Sequence, residues 1–325
     1  MFSVCGRGKF FRRATAWLAA ALFFALCGVV GLTACAPSDE KYTVVCWGDS
    51  LTAGTGGGLT NYPAVLEELL RKNVNKEISV ANAGVGGESS ATICARAGVY
   101  DPLALAQDVV LPAGQEKTEI VLNYPVLRQS APDMLNPCHI GGVQGELSIR
   151  QQSYTSEEYH YYFRPSAELQ EEKRFSAGTE VVTRQAGAFD DCFPIVFIGQ
   201  NGGWKDFEEL IAQQRALIGA DALAAGKYLV LGLTSGSAAS RAELERAMEE
   251  AFGDRYVNLR AYLSSQGPGD AGISPSGEDQ ALMAEGTVPA CLRSDGVHFN
   301  AKGYRLIGEH VYDAMSRLGF TRVWG

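Results

Sequence analysis

Histidine is scarce in this chain, which has four among its 325 residues and no His-rich tract. The pattern H-E-x-x-H is absent, and no two cysteines are spaced C-x-x-C, so we expect no zinc site. The phosphate-binding P-loop and the G-x-S-x-G turn of ordinary α/β-hydrolases are absent as well. These absences argue against a dedicated metal protein and a P-loop enzyme, and we expect neither a metal nor a cofactor.

Positive charge is also scarce outside the first 34 residues. The chain has 28 Lys and Arg against 37 Asp and Glu, a net charge of −9. Four of those basic residues (Arg7, Lys9, Arg12 and Arg13) lie in the first segment, which has no acid, so the rest of the chain has 24 against 37, a net of −13. A body of that charge repels polyanions, which argues against nucleic acid and an anionic lipid surface as partners.

A long apolar run lies near the N-terminus, within residues 1–34. Arg12 and Arg13 precede the apolar residues 14–34, and the run ends in Leu-Thr-Ala before a polar, turn-prone stretch. A basic start, an apolar middle and small residues at the end are typical of a secretory signal peptide. The alternative is an uncleaved transmembrane anchor, because the run is about long enough to span a bilayer.

Cys35 favours the first interpretation. It directly follows Leu-Thr-Ala and resembles the lipobox cysteine of bacterial lipoproteins, which is acylated and becomes the first residue of the mature protein. That resemblance implies a signal peptide of residues 1–34, a linker of residues 35–41 and a body of residues 42–325 held by lipid at the extracytoplasmic face of the cell membrane. With either interpretation the body lies outside the cytoplasm.

Five cysteines follow Cys35 in the chain: Cys46, Cys94, Cys138, Cys192 and Cys291. In an oxidising compartment an odd number leaves at least one thiol unpaired. Cys46 lies within an apolar strand and is the best candidate for a buried thiol. Cys138 and Cys192 can close the middle of the chain on itself, and the sequence leaves the pairing of the five open.

Strand and helix patterns alternate through most of the body. Short apolar runs predict buried parallel strands, and apolar residues at helical spacing predict amphipathic helices. The predicted strands are residues 42–47, 78–81, 195–198, 228–233 and 256–259, and the predicted helices are residues 61–73, 207–223, 241–252 and 301–318. Strands that alternate with helices predict a parallel sheet covered by helices on both faces.

The middle of the chain breaks this alternation. Four short strands separated by Gly, Pro and Asn turns are predicted at residues 118–123, 145–149, 159–163 and 180–183. Since a structureless loop of such length is rare in a compact domain, we expect a β-rich insertion of residues 98–192 between two strands of the parallel sheet. The aromatic residues of its Tyr-His-Tyr-Tyr-Phe run can stack on a sugar ring, although packing is their commoner use.

Four motifs lie at or near the ends of predicted elements, where an open α/β sheet places its ligands. They are Gly48-Asp-Ser50-Leu-Thr, Asn82-x-Gly84-x-x-Gly87, Gly199-Gln-Asn201 and Asp295-Gly-Val-His298. Singly, each has an ordinary explanation: a serine can start a helix, a glycine-rich segment can be only a turn, and Asp and His three apart can be incidental. Together they provide a nucleophile, amide donors, and an imidazole held by a carboxylate.

In this order the four motifs resemble the blocks of the SGNH, or GDSL, hydrolase family, over residues 43–90, 195–265 and 290–318. The resemblance implies a flavodoxin-like, three-layer α/β/α sandwich. It also implies roles for three catalytic residues: Ser50 as nucleophile, His298 as general base and then acid, and Asp295 as the group that orients His298. The oxyanion hole that it implies is formed by the backbone amides of Ser50 and Gly87 and the side-chain amide of Asn201.

Two features depart from the family pattern. The third block of the family usually reads G-x-N-D, and Gly202 stands here in place of the acid. Asn201 is retained, so activity is expected although one support of its loop is missing. The insertion of residues 98–192 lies outside the resemblance and can cover or reshape the substrate cleft.

The activity that the resemblance implies is hydrolysis of carboxylic esters through an acyl-enzyme. The habit of the family, the location outside the cytoplasm and the acidic body favour removal of small acyl groups, such as acetyl, from a carbohydrate. A lysophospholipase or thioesterase is the alternative within enzymes and needs a long apolar groove. A lipoprotein that binds glycan without catalysis is the alternative outside enzymes, and the intact Ser50, Asp295 and His298 argue against it.

Overall fold

The computed structural model describes residues 42–128 and 131–324. The predicted signal peptide of residues 1–34, the lipid-bearing Cys35 and the linker of residues 35–41 lie outside the described residues. None of the helices in the described ranges is long and apolar enough to cross a membrane.

The strands and helices are numbered along the chain. The strands are β1 (Val44–Gly48), β2 (Val80–Gly84), β3 (Val109–Leu111), β4 (Thr118–Ile120), β5 (Cys138–Ile140), β6 (Val143–Gln151), β7 (Tyr159–Pro165), β8 (Lys173–Phe175), β9 (Val181–Val182), β10 (Phe193–Phe197), β11 (Leu229–Leu231) and β12 (Tyr256–Val257). The α-helices are α1 (Ser50–Ala53), α2 (Tyr62–Asn73), α3 (Ser90–Ala97), α4 (Pro132–Leu135), α5 (Phe207–Ile218), α6 (Ala220–Ala225), α7 (Ala238–Phe252), α8 (Leu259–Ser265), α9 (Gly267–Asp270), α10 (Gly277–Ala284) and α11 (Ala301–Arg317). Short 3-10 helices lie at Gly253–Arg255, Ala290–Leu292 and Phe320–Val323.

Five parallel strands form the central sheet in the order β12-β11-β10-β1-β2. Every residue of β1 and β10 is buried, as expected of strands that are covered on both faces. The chain passes from β1 to β2 on one side and later returns to β10 on the other, so the direction of winding reverses between β1 and β10. Sheets of this flavodoxin-like order bind ligands at that switch point, outside the carboxyl ends of the strands. The predicted fold is confirmed.

Helices cover both faces of the sheet. On one face α2 and α11 pack together over a core that includes Leu66, Tyr304 and Ile307. Gly308 lets these two helices approach closely, because a Cβ atom there would lie 2.7 Å from the Cβ of Val65. Side chains of α3, α5 and α7 form a second core on the other face. The result is the predicted three-layer arrangement.

The predicted helix of residues 207–223 is two helices, α5 and α6. Gly219 separates them with a φ of +81°, a backbone conformation that favours glycine. Apolar spacing continues across this break, so periodicity alone could not locate it. The glycine itself was the signal, since a glycine after an amphipathic stretch commonly ends a helix.

The second strand lies further along the chain than predicted, at Val80–Gly84 and not at residues 78–81. Asn82 and Gly84 therefore belong to β2 and not to the turn that follows it. Gly84 pairs with Gly48 of β1, and a Cβ atom at Gly84 would lie 2.2 Å from the backbone nitrogen of Ala53. The glycine thus allows α1 to lie directly against the end of β2.

Residues 98–192 contain two antiparallel sheets. One has the order β4-β7-β6-β5-β9, and β3 and β8 form a separate two-stranded ribbon. Each of the four stretches predicted as strand overlaps one, with β6 and β7 longer than predicted, whereas β3, β5, β8 and the short helix α4 were missed. Elements of three or four residues are too short to show a periodic pattern. A separate hydrophobic core lies in this segment and includes Leu103, Ile120 and Phe163.

The aromatic run at residues 159–163 alternates across β7. Tyr161 and Phe163 are buried in the core of the insertion. Tyr162 is half-buried on the opposite face, where Lys117 Nζ lies 4.8 Å from the centre of its ring. Packing therefore accounts for Tyr161 and Phe163, and Tyr159 packs partly buried against the same core, whereas Tyr162 lies on the outer face of the sheet.

Cys46, Cys94, Cys138 and Cys291 are free thiols. Cys138 is wholly buried in the core of the insertion, and Cys192 Sγ lies 3.2 Å from the carbonyl oxygen of Tyr42. The suggested bond between Cys138 and Cys192 is therefore wrong. Cys46 is buried as predicted, and burial raises its pKa to about 12, so its thiol stays protonated and unreactive at neutral pH.

Candidate active site

Ser50 lies at the carboxyl end of β1 as the first residue of α1. The side chain of Asp49 caps that helix, because its Oδ1 accepts a hydrogen bond from the amide of Leu51 at 2.9 Å. A Cβ atom at Gly48 would lie 2.0 Å from Thr52 Oγ1, so glycine is needed where the strand turns into the helix. Ser50 is 8% exposed, and its hydroxyl is therefore held among its neighbours at the edge of the sheet.

Two hydrogen bonds join Ser50 to the loop before α11. His298 Nε2 lies 2.9 Å from Ser50 Oγ, and His298 Nδ1 lies 2.8 Å from Asp295 Oδ2. The other oxygen of Asp295 accepts hydrogen bonds from the amides of His298 at 2.7 Å and Val297 at 2.8 Å. These hydrogen bonds hold the pKa of Asp295 well below its usual range, and the bond from the His298 amide has the largest effect. The ionised carboxylate therefore favours a proton on Nδ1, which leaves Nε2 to accept the proton of Ser50.

Arg293 holds the loop that carries His298. Its Nη1 donates to the carbonyl oxygen of Val297 at 2.7 Å, and its Nη2 donates to that of Thr234, in the loop after β11, at 2.8 Å. The guanidinium also lies over the ring of Phe299, 5.2 Å from its centre. Sequence reasoning missed this residue because Thr234 is 59 positions away. Its place beside the fourth motif was the available signal.

Three hydrogen-bond donors were predicted for the oxyanion hole: the amides of Ser50 and Gly87 and the side-chain amide of Asn201. Within residues 42–128 and 131–324, the backbone amides of Ser50 and Gly87 donate to no other residue. Asn201 Nδ2 donates to the carbonyl oxygen of Glu88 at 3.0 Å and to Asp49 Oδ2 at 3.4 Å. Because Asp49 precedes Ser50 and Glu88 follows Gly87, these contacts bring the first three motifs together. Gly87 and Asn201 are exposed, so the site is open to solvent.

Neutral hydrogen bonds support the loop that contains Gly202, the residue that stands in place of the expected acid. The carbonyl oxygen of Gly202 accepts from the backbone nitrogen and the hydroxyl of Ser90, both at 3.0 Å. Gln213 Nε2 donates to the carbonyl oxygen of Gly203 at 2.8 Å. Gly202 has a φ of +72°, a conformation that glycine adopts at no steric cost. Ser90 and Gln213 thus hold the loop that contains Gly202.

Two buried carboxyl groups lie beside these donors. Burial raises the pKa of Asp49 to about 6, although the hydrogen bond from Leu51 and the charge of His298 act in the opposite direction. Burial also raises the pKa of Glu88, and the guanidinium of Arg96 offsets part of that rise. Asp49, next to Ser50, therefore titrates at a pH close to 6.

Arg96, on α3, is one of the largest fully buried side chains in the described residues. Its Nε donates to Glu88 Oε2 at 2.6 Å. Its Nη2 donates to the carbonyl oxygens of Ala83 at 2.6 Å and Gly48 at 3.4 Å, which ties the ends of β2 and β1 to Glu88. Sequence reasoning missed Arg96 because these partners are scattered along the chain. An arginine among the small and apolar residues of α3 was the only signal.

The structure brings together the residues predicted for the site: Ser50, Gly87, Asn201, Asp295 and His298. Hydrogen bonds link Ser50, His298 and Asp295 directly. Asn201 donates to Asp49, which precedes Ser50, and to Glu88, which follows Gly87. Within the described parts of the chain, no group of three or more His, Cys, Asp or Glu side chains is arranged to hold a metal ion. The groups at the site are a serine hydroxyl, an imidazole, carboxylates and amides.

The sequence matches no protein-family model and no curated protein. Three solved structures show a likeness at low sequence identity. A protein described as lipolytic and of the G-D-S-L family, from Desulfitobacterium hafniense DCB-2, is 13% identical with a TM-score of 0.40, over 84% of this chain and 99% of its own. A lipase/acylhydrolase from Enterococcus faecalis is 11% identical with a TM-score of 0.37, over 86% and 97%. A peptidoglycan O-acetylesterase is 13% identical with a TM-score of 0.35, over 88% and 93%.

Proposed function

We propose that this protein is a serine ester hydrolase of the SGNH/GDSL type. The observation that carries the proposal is the pair of contacts from Ser50 Oγ to His298 Nε2, at 2.9 Å, and from His298 Nδ1 to Asp295 Oδ2, at 2.8 Å. A serine hydroxyl becomes a nucleophile when an adjacent base takes its proton, and a carboxylate holds that base in the required tautomer. The contacts lie where β1 ends, beside the switch point of the sheet.

Acylation begins when Ser50 Oγ attacks the carbonyl carbon of the ester and its proton passes to His298 Nε2. The electron pair of the carbonyl double bond moves to the oxygen, which becomes the oxyanion. The amides of Ser50 and Gly87 and the side-chain amide of Asn201 donate hydrogen bonds to that oxygen. When the intermediate collapses, the alcohol leaves with the proton from His298 and the acyl group stays on Ser50.

Deacylation repeats these steps with water as the nucleophile. Water gives a proton to His298 and attacks the acyl carbon, and the second intermediate collapses to a carboxylic acid. Ser50 then recovers its proton from His298. Asp295 stays ionised throughout, because its depressed pKa disfavours protonation.

The substrate class that we propose is a small acyl ester, such as an acetyl group, on a carbohydrate. Gly87 and Asn201 are exposed, so an acyl group on the surface of a large polymer can reach the donors. The acidic body disfavours an anionic lipid surface. A lysophospholipase or thioesterase is the competing candidate, and it would prefer long acyl chains.

We further propose that lipid on Cys35 holds the body at the extracytoplasmic face of a bacterial membrane. The support is the sequence of residues 1–34, in which a basic start precedes an apolar run and small residues stand directly before Cys35. A carbohydrate substrate outside the cytoplasm agrees with that location.

Turnover of p-nitrophenyl esters with acyl chains of two to twelve carbons tests the proposal. We expect the highest kcat/KM for acetate and a steep fall with chain length. A maximum at eight or more carbons would favour the lipolytic alternative. An absence of turnover of every ester would favour a glycan-binding lipoprotein without catalysis.

A further inference from the structure

Gln185 joins the insertion to the buried Arg96. It lies near the end of the insertion and is 6% exposed. Its Oε1 accepts a short hydrogen bond from Arg96 Nη1, and its Nε2 donates to Met134 Sδ, on α4, at 2.9 Å. One side chain therefore connects a helix within the insertion to an arginine of the α/β core.

The main chain of Arg96 is bound by the same segment. Thr183 Oγ1 donates to the carbonyl oxygen of Arg96 at 2.5 Å, and it accepts hydrogen bonds from the amides of Gln185 at 3.2 Å and Ala186 at 3.3 Å. A Cβ atom at Gly98 would lie 2.9 Å from the Cβ of Ala186, so the two chains are in close contact there. Residues 183–186 are thus fixed to the end of α3 at several points.

The contacts continue from Arg96 to the proposed oxyanion donors. Arg96 Nε binds Glu88 Oε2, and the carbonyl oxygen of Glu88 accepts the hydrogen bond of Asn201 Nδ2. Glu88 Oε1 is buried and has no partner among the described residues, so Arg96 is the group that holds this carboxylate. A change in the orientation of Arg96 must therefore move Glu88, and with it the acceptor that orients Asn201.

We propose that Gln185 and Arg96 are positioning residues for Asn201, and that through them the insertion controls the rate of ester hydrolysis. This inference rests on the proposed function. The guanidinium is planar and rigid, so an acceptor on Nη1 fixes the plane from which Nε and Nη2 donate. Without that acceptor a buried N–H group is left unpaired, and the side chain has to rotate to find another. Neither residue touches the substrate.

The replacement Gln185→Met tests the proposal, since methionine keeps the length of the side chain and removes the acceptor. The matched control is Gln214→Met, because Gln214 is also buried, at 2% exposure against 6% for Gln185, and lies on α5. Among the described residues its side chain forms no hydrogen bond with Arg96 or Asn201. With p-nitrophenyl acetate we expect Gln185→Met to lower kcat about tenfold with KM unchanged, and the control to keep wild-type kcat. An unchanged kcat in Gln185→Met would overturn the proposal.

A double-mutant cycle separates positioning of Asn201 from a general loss of structure. In the background of Asn201→Ala, Gln185→Met should cause little further loss, because the donor that it positions is gone. A loss of the same factor in both backgrounds would show that Gln185 acts elsewhere, and the proposal would be wrong. Thr183→Val removes the hydrogen bond to the carbonyl oxygen of Arg96 at nearly constant side-chain volume. If Gln185→Met does not fold, the double-mutant cycle is measured with Thr183→Val in its place.

The side-chain amide signals of Asn201 in a ¹⁵N–¹H NMR spectrum give a readout that needs no turnover. They should shift in Gln185→Met and stay in place in Gln214→Met. If the wild type hydrolysed no ester, the proposed function would fail, and these signals would still decide whether Gln185 positions Asn201. Signals that do not respond to Gln185→Met would refute the positioning.

Discussion

His298 Nε2 lies 2.9 Å from Ser50 Oγ, although 248 positions separate the two residues along the chain. The end of β1 carries the serine, and the loop before α11 carries the histidine. These two parts of the chain meet only when the central sheet and the helices on it have formed. The proposed ester hydrolysis would therefore report on the folded core as well as on the site.

Removal of either member of this pair should abolish hydrolysis. We expect Ser50→Ala and His298→Ala each to lower kcat by several orders of magnitude, with no further loss in the double variant, because nucleophile and base act as one unit. Circular dichroism should show an unchanged fold in all three. A Ser50→Ala variant that retained more than a few per cent of wild-type turnover would disprove its role as nucleophile.

Asn201→Ala should lower kcat about 10²- to 10³-fold with little change in KM, since an oxyanion donor acts mainly in the transition state. The steady-state kinetics of p-nitrophenyl acetate hydrolysis measure both constants. Asn75→Ala is a suitable control, because Asn75 lies in the turn after α2 and outside the site. A change mainly in KM would instead identify Asn201 as a residue that binds the ground state of the substrate.

The sequence predicted the parts of the site that are local in the chain and missed those that depend on distant partners. Asp295 and His298 are three positions apart, and their hydrogen bond follows from one loop. Arg96 has partners that come from β1, β2 and the insertion, so no spacing rule could assign them. Its burial depends partly on the insertion, where Thr183 and Gln185 form hydrogen bonds with Arg96 at the end of α3.

Secondary structure shows the same division. Long apolar periodicities predicted α2 and α11 to within a residue or two, because such faces are buried against the sheet. The break at Gly219 and three of the short strands in the insertion, β3, β5 and β8, were missed. The break had a local signal in Gly219 itself, whereas strands of three residues are too short to show a periodic pattern.

Asp49→Asn should stabilise the protein most at high pH. Folding raises the pKa of this carboxyl from 3.8 to about 6, so its contribution to stability is fully present below pH 3.8 and is lost as the pH rises through 6. The neutral amide avoids that loss, and we expect a gain of about 3 kcal/mol at pH 8 and about half of that at pH 5. Urea unfolding of the wild type and the variant at pH 5 and pH 8 measures this gain in the free energy of unfolding.

The control for this comparison is Asp254→Asn, at an exposed position, which should show the same small effect at pH 5 and pH 8. Asp49→Asn should also lower kcat, because an amide cannot accept from both Leu51 and Asn201 as the carboxylate does. A gain that is equal at the two pH values would mean that ionisation of Asp49 does not limit stability.

Cys35 should be the acylated first residue of the mature protein. We expect mass spectrometry of the membrane-extracted protein to find a diacylglyceryl cysteine followed by Ala36. Two acyl chains hold a protein firmly on a bilayer, whereas one does so only marginally, so Cys35→Ala should change how the protein is retained. An intact N-terminus that begins at Met1 would favour the uncleaved transmembrane anchor.

The insertion should be separable from small-ester hydrolysis if the segment that binds Arg96 is kept. Ala104 and Glu180 pair across an antiparallel bridge, so deletion of residues 105–179 can be closed by two glycines. This shorter deletion keeps Gln185, and we expect reduced but measurable hydrolysis of p-nitrophenyl acetate.

Activity on an O-acetylated polysaccharide should be lost, because the removed sheets would no longer contribute to polymer binding. Deletion of residues 98–186 removes Gln185 as well, and it should abolish both activities. Equal loss of both activities in the shorter deletion would instead show that the insertion serves only to hold the core together.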